Sequence, residues 1–268
     1  MNQIEVKNLH FHYTENEPIL KGIDLTLDTR TTAIIGQNGA GKTTFVKLLK
    51  GLLRPSQGEI LFNGKNLKDL TVAQIARHIG LVFQNPNDQI FKNKVIDELM
   101  FGPLNIGMSE TEARSNCKKA LELVGLAGLE EENPYDMGLS DRKMIAIASI
   151  LAMDTDVVIF DEPTIAQDYE GKEKIKAIIR SLSEQGKMVF TIIHDMDFVA
   201  ECFERTIVLA RGNVLLDGPT AEVYAQTDQL TQAYLEPPHV TQLCNCLGYD
   251  QVFLTVDEFV DYVMSDSV

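Results

Sequence analysis

One glycine-rich segment constrains the fold of this chain more than any other feature. Residues 36–43 read Gly-Gln-Asn-Gly-Ala-Gly-Lys-Thr and fit the pattern G-x-x-x-x-G-K-[ST] at every position. An apolar run precedes the segment at 32–35, and a helical pattern follows it at 45–49. Glycine lets the backbone turn so tightly that several N–H groups converge on one anion. The order of strand, loop and helix therefore predicts a phosphate-binding loop in an α/β fold.

The last two residues of this pattern have predicted contacts with a bound nucleotide. Lys42 is expected to reach the β- and γ-phosphates, and the Thr43 hydroxyl is expected to ligate Mg²⁺. The N-terminus of the helix that follows adds a dipole that favours anions. The alternative is a glycine-rich turn with a chance lysine, which the strand–loop–helix context argues against.

Polar residues also end two later apolar runs. Asp161 and Glu162 follow the run 157–160, and His194 follows the run 190–193. Ligands of open α/β sheets bind at the carboxyl ends of the strands. Beside a phosphate loop, Asp161 is placed to hold Mg²⁺ through water, and Glu162 to polarise an attacking water. Taken alone, an Asp-Glu pair after a strand is also typical of a surface turn. A histidine at a strand end is also often bonded only to the backbone.

Apolar runs that alternate with helical patterns predict a parallel sheet covered on both faces. The mostly helical stretch 95–153 reads as an insertion into this α/β core. Residues 237–238, both proline, mark a linker before a small C-terminal piece with a strand at 252–254 and a helix at 256–263. The other predicted strands are 4–7, 23–27, 32–35, 59–62, 79–83, 157–160, 188–193 and 206–209.

The charge of the chain argues against nucleic acid and anionic lipid as partners. Its 24 basic and 39 acidic residues give a net charge of −15. No Lys or Arg follows Arg211, so the tail is wholly acidic. The longest apolar stretch, 144–153, is shorter than the ~20 residues of a membrane span, and residues 1–9 lack the apolar stretch of a secretion signal, so we expect the chain to stay in the cytosol. The four scattered cysteines predict reduced thiols rather than disulfides.

Taken together, these segments resemble the ATPase subunits of ABC transporters. Residues 36–44 resemble the Walker A motif, and 157–162 resemble Walker B with its catalytic glutamate. The resemblance implies that Glu162, His194 and Lys42 are catalytic and that Mg-ATP is the cofactor. It implies nucleotide binding by Tyr13, Gly36, Asn38, Gly39, Ala40, Gly41, Lys42, Thr43, Thr44 and Gln84, and Mg²⁺ ligation by Thr43, Gln84 and Asp161.

The resemblance extends to the fold and covers essentially the whole chain. It implies a P-loop NTPase with a RecA-like core, an N-terminal antiparallel β part, a helical subdomain and a small α+β C-terminal extension. The nucleotide-binding domain would span 1–235, with the helical subdomain at about 88–153. Residues 236–268 would then form a dimerisation region, and a solvated tail is the alternative.

A narrower resemblance points to the ATPases of energy-coupling factor (ECF) and cobalt-type importers. It is carried by residues 82–91, 101–105 and 237–243. Such ATPases work in pairs at the cytoplasmic face of the membrane, beneath a transmembrane coupling subunit and a substrate-binding membrane subunit. They power uptake of vitamins or of nickel and cobalt ions. A groove near Gln84, lined by Phe91, Met100 and Phe101, would receive the membrane partner. The alternative for these three residues is an ordinary place in the core. The alternative is a soluble or regulatory ABC-type ATP-binding protein.

The chain departs from the family in its signature motif, Leu-Ser-Gly-Gly-Gln. At the family's usual distance before Asp161 stand residues 137–141, in which Gly138, Leu139, Ser140 and Asp141 replace the last four positions. A gapped alignment could instead match Leu139 and Ser140 to the first two positions of the signature. It would delete two positions at the start of the following helix and so rotate that helix by roughly 200°, which favours the ungapped alignment. The resemblance implies that the signature position and the D-loop aspartate, here Asp168, act on the nucleotide of the other subunit. The departure therefore implies a heterodimer with a homologous ATPase that has an intact signature.

Overall fold

The computed structural model describes residues 2–249 and 251–266, and its strands form two sheets. In chain order the strands are β1 (Ile4–His12), β2 (Pro18–Leu27), β3 (Thr32–Ile35), β4 (Gln57–Phe62), β5 (Lys65–Asn66), β6 (Ile79–Val82), β7 (Val157–Asp161), β8 (Met188–Ile192), β9 (Arg205–Ala210) and β10 (Asn213–Pro219).

Helices cover both sheets and form the middle of the chain. They are α1 (Lys42–Leu49), α2 (Val72–Ala76), α3 (Val95–Asn105), α4 (Glu110–Val124), α5 (Leu139–Leu151), α6 (Tyr169–Glu184), α7 (Met196–Cys202), α8 (Thr220–Tyr224), α9 (Thr227–Gln232), α10 (His239–Leu247) and α11 (Val256–Asp266).

The smaller sheet is antiparallel, in the order β2-β1-β4-β5. Residues of β1 and β2 alternate between buried and exposed, as expected for strands with one face on a core. The buried face packs with Phe45 of α1 and with one face of the larger sheet in a single hydrophobic cluster. This confirms the N-terminal antiparallel part that the family resemblance implies.

The larger sheet positions the candidate site. Its order is β10-β9-β3-β8-β7-β6, with parallel pairing except between β10 and β9. Ile34 and Ile159 face the cluster shared with α1, whereas Ile35 and Phe160 face the cluster formed with α3 to α6. Because both faces are covered, the strands read as continuous apolar runs. The carboxyl ends of β3, β7 and β8 therefore lie side by side at one edge.

The C-terminal segment differs from its prediction. A strand at 252–254 is wrong, because these residues are unpaired and the described part of the extension is helical rather than α+β. Phe253 is buried by the side chains of α10 and α11 instead of by a sheet. Its carbonyl accepts a hydrogen bond of 2.6 Å from the Thr241 hydroxyl, which replaces a strand partner. In the described residues, no helix is long and apolar enough to span a membrane.

Candidate nucleotide-hydrolysing site

The loop between β3 and α1 has a backbone that requires glycine. Gly36 has φ 151°, Gly39 has φ 81° and Gly41 has φ 103°. A Cβ on Gly36 would lie 2.2 Å from the Leu209 carbonyl oxygen, whereas a Cβ on Gly39 would meet nothing within 4 Å. Gly36 is thus fixed by close packing, and Gly39 by its left-handed backbone alone. The first amides of α1 have no partners within the helix, so they are available to phosphate oxygens.

The lysine of this loop is held at its centre. The Lys42 amine donates to the carbonyl oxygens of Gly36 at 2.6 Å and Gln37 at 3.0 Å. Burial lowers the pKa of Lys42, and the carboxylates of Glu162 and Asp161 oppose that shift. The loop therefore wraps around a buried amine that is held by two of its own carbonyl oxygens.

Asp161, the last residue of β7, is a carboxylate suited to a divalent cation. It is 6% exposed, and its Oδ1 atom has no hydrogen-bond partner within the described residues. Burial, with a smaller effect of Glu162, raises its pKa to about 6, while a hydrogen bond from Thr43 lowers it. A buried, unpaired carboxylate oxygen beside a hydroxyl is the oxygen donor set that Mg²⁺ prefers. Thr43 and Asp161 therefore fit the metal that the sequence predicts.

Gln84 and His194, which follow β6 and β8, both contact Glu162, the residue after β7. The Gln84 amide donates to Glu162 Oε2 at 3.0 Å, and His194 Nε2 lies 3.3 Å from Glu162 Oε1. A carboxylate only accepts, so any hydrogen bond in this contact is donated by the imidazole. Glu162 has φ 49°, a strained conformation for a residue with a side chain, and its amide bonds to the Ile192 carbonyl at 2.9 Å. Burial and nearby Lys42 lower the pKa of His194, which favours the neutral ring.

Tyr13 gives the site an aromatic surface next to the phosphate loop. Its side chain is 59% exposed, and its hydroxyl lies 3.4 Å from the Thr44 hydroxyl. The ring meets Phe11 edge to face at a centroid distance of 4.9 Å. One end of Tyr13 is therefore fixed while its exposed surface is available for stacking.

The residues at the signature position form a cluster of their own at the start of α5. Gly138 precedes the helix without a side-chain cap, and Leu139 is exposed. The Ser140 hydroxyl donates to Gln167 Oε1 at 2.9 Å. Asp168 caps α6 by accepting from the Gly171 amide at 2.8 Å. Ser140 thus bonds to the residue before Asp168, and Asp141 adds a negative charge in the same first turn.

Sequence reasoning missed two side chains that hold the residues around Gln84. The Lys143 amine donates to the carbonyl oxygens of Phe83 at 3.1 Å and Gln84 at 2.5 Å. Gln89 accepts from the Phe83 amide at 2.9 Å and donates to the Ala146 carbonyl at 2.8 Å. Burial lowers the pKa of Lys143 to about 8, and Asp161 and Glu162 oppose that shift. The available signal was a lysine beside the apolar stretch 144–153.

The groove residues predicted for a membrane partner separate in the structure. Phe91 and Phe101 are exposed and meet edge to face with centroids 4.7 Å apart. The Lys92 amine lies 5.0 and 5.1 Å from the two ring centroids. Met100 is 8% exposed and belongs to the core, so its prediction as a groove residue is wrong.

The chain is similar to proteins of one family. Residues 20–165, more than half of the chain, match the ABC transporter family. A Pyrococcus furiosus protein assigned to the ABC transporter ATP-binding proteins is 40% identical over 93% of this chain and 95% of its own length. EcfA of Methanocaldococcus jannaschii, an energy-coupling factor transporter ATP-binding protein, is 36% identical over 91% of this chain and 89% of its own.

A solved structure agrees over nearly the same length. CbiO1 from Clostridium perfringens, part of the transporter complex CbiONQ, superposes with a TM-score of 0.77 at 30% identity. The superposition covers 90% of this chain and 98% of CbiO1. It confirms the P-loop NTPase fold, and the sequence match over 20–165 includes both the phosphate loop and Asp161–Glu162. The chain therefore belongs to the ABC transporter family as one of its ATP-binding, ATP-hydrolysing subunits.

Proposed function

We propose that the chain is an ATPase of an ECF-type importer and drives uptake of a vitamin or a transition-metal ion. The observation that carries the ATPase role is the meeting of Gln84 and His194 on the two oxygens of Glu162. Similarity to EcfA, an energy-coupling factor protein, and to CbiO1, part of CbiONQ, supports the importer class.

Nucleotide binding follows from the loop and its neighbours. Tyr13 stacks on the adenine, while the amides of 36–44 and the Lys42 amine hold the phosphates. Thr43, Asp161 and the Gln84 side-chain oxygen would hold Mg²⁺, which neutralises charge on the phosphates when bound. The Gln84 amide donates to Glu162 through nitrogen, so its oxygen remains the atom for a metal.

Hydrolysis uses the carboxylate of Glu162, the residue that follows β7. Glu162 orients a water in line with the γ-phosphate and accepts its proton as the new P–O bond forms and the bond to ADP breaks. Before the nucleotide binds, Gln84 and His194 contact both carboxylate oxygens and so hold Glu162 in place. Burial lowers the pKa of His194, which favours the neutral ring with its single N–H. On closure this N–H turns from Glu162 to the γ-phosphate, and the Gln84 amide continues to hold the carboxylate.

The altered signature supports an asymmetric pair with a second ATPase that has an intact motif. We infer that Gly138, Leu139, Ser140, Asp141 and Asp168 face the nucleotide of that partner. Leu139 stands where the family has a glycine, so it crowds the approach of a phosphate. The C-terminal extension, 236–268, would strengthen the pair, since its helices expose Leu243, Leu247 and Val260.

The membrane side of the motor would lie at the Phe91–Phe101 pair. These rings form an exposed apolar surface on the helical part that begins at α3, next to the segment that contains Gln84. A transmembrane coupling subunit that docks there would hold the chain at the cytoplasmic face of the membrane, and a separate membrane subunit would bind the substrate.

The first test isolates the native complex through an N-terminal tag in mild detergent. A second ATPase with an intact signature, together with polytopic membrane proteins, is the expected result. Recovery without membrane proteins would favour the soluble or regulatory alternative.

The second test measures turnover in that complex. Lys42→Ala and Glu162→Gln should each abolish most ATP hydrolysis, and Lys47→Ala, on the same helix as Lys42, should not. Normal turnover with Lys42→Ala would disprove the ATPase role. If Glu162→Gln leaves most turnover intact, the productive site is the other one.

A further inference from the structure

A buried lysine lies beneath the segment that contains Gln84. Lys143 is 1% exposed and stands in the second turn of α5, two residues after Asp141. Its amine donates to two consecutive carbonyls, those of Phe83 and Gln84, at 3.1 and 2.5 Å. The residues that follow it, 144–149, are all buried, so α5 is enclosed on every side over 143–149.

Burying this amine has a cost that packing alone does not explain. An ammonium taken out of water is unfavourable unless it is paired or hydrogen-bonded, whereas a methionine of similar length would fill the space. The amine donates to two backbone carbonyl oxygens, and the negative charges of Asp161 and Glu162 favour its charged form. Its hydrogen bonds therefore act specifically on the backbone at 83–84.

The same short segment is also held from its other side. The Phe83 amide donates to Gln89, and Gln89 donates in turn to the Ala146 carbonyl on α5. Between them, Gln89 and Lys143 fix both the amide and the carbonyls of 83–84 against α5. The Gln84 side chain leaves from this fixed backbone and reaches Glu162 Oε2 at 3.0 Å.

We propose that Lys143 is a positioning residue for ATP hydrolysis, which sets the backbone of Gln84 so that its amide meets the Glu162 carboxylate. Because Lys143 is on the helix that begins with the signature position, it also transmits a shift of α5 to Glu162. This inference rests on the proposed function, since it assumes that Glu162 is the base.

The experiment is a double-substitution cycle in the native complex. Lys143→Met keeps the length and removes the donor. We expect it to lower kcat about tenfold with KM for ATP nearly unchanged, as is usual when a residue that orients a catalytic group is lost. In a Gln84→Ala background the same substitution should have almost no further effect, because the group that it positions is absent. Lys143→Gln keeps a shorter donor and should lose about threefold, again only when Gln84 is present.

Lys50→Met is the matched control. The Lys50 amine also donates to a backbone carbonyl, that of Ile79, and burial lowers its pKa to about 8 as well. It does not bond to the segment 83–84, so we expect loss of stability without loss of kcat.

Three results would overturn the inference: no fall in kcat with Lys143→Met, the same fall in the Gln84→Ala background, or an equal fall with Lys50→Met. Should Lys143→Met fail to fold, Lys143→Gln provides the same cycle. If Lys42→Ala also leaves turnover intact, the proposed function has failed rather than this inference.

Discussion

In the absence of metal, the ionised carboxylate of Asp161 destabilises the folded protein. Burial and the neighbouring Glu162 raise its pKa from 3.8 to about 6. The folded protein therefore binds this proton more tightly than the unfolded chain does. The resulting stabilisation is fully present below about pH 4 and is lost as the pH rises through 6. Each unit of difference between the two pKa values is worth about 1.36 kcal/mol. The full shift therefore changes the free energy of unfolding by ~3 kcal/mol, of which ~1.4 kcal/mol is lost between pH 5 and 7.5.

The perturbation is Asp161→Asn, which keeps the shape and does not titrate. The measured quantity is the free energy of unfolding of the variant minus that of wild type. In the absence of metal and nucleotide, this difference should increase by about 1.4 kcal/mol from pH 5 to 7.5. Urea unfolding followed by circular dichroism at several pH values measures it. The exposed carboxylate of Asp136, changed to Asn, is the control and should give a flat difference. A flat or opposite trend for Asp161→Asn would refute the reasoning.

Other parts of the site give independent predictions. Gly36→Ala should lower the free energy of unfolding by about 2–3 kcal/mol because its Cβ meets a carbonyl oxygen at 2.2 Å, whereas Gly39→Ala should lose only about 1 kcal/mol through backbone strain. Urea titration separates the two, and equal losses would contradict the packing argument. Tyr13→Ala should raise KM for ATP about fivefold and spare kcat, while Tyr13→Phe keeps the stacking ring and should change neither. Ser140→Ala and Gln167→Leu should show a coupling of about 1 kcal/mol in a double-mutant cycle of unfolding, and simple additivity would mean that their hydrogen bond contributes nothing.

Local pattern and strand direction explain what the sequence could predict. Gly36 to Thr43 form a contiguous motif, so the loop is recognisable without any tertiary information. Asp161 and His194 come from distant segments, yet their approach follows from one rule. They end parallel strands, and such ends share an edge of the sheet.

Packing between distant segments explains the features that the sequence did not predict. Lys143 acquires its role from carbonyls about sixty residues earlier in the chain, and no local pattern contains that contact. Phe253 is apolar within a short apolar run, which favours a strand, but two helices bury it and a threonine satisfies its carbonyl. The edge strand β10 was not predicted, since its residues are mostly half-exposed and lack clean alternation.

The start of α1 and the start of α5 differ in how well they suit a phosphate, and electrostatics explains the difference. At the start of α1, the Lys42 amine and free helical amides favour a phosphate. At the start of α5, Asp141 already supplies an anion to the helix N-terminus, and the Ser140 hydroxyl is bonded to Gln167. A phosphate from another subunit would meet like charge where the family presents glycine amides. In a homodimer both composite sites would carry this defect. Pairing with an intact signature would leave the site of Lys42 and Glu162 free of this defect, and this is the argument for the heterodimer that we propose.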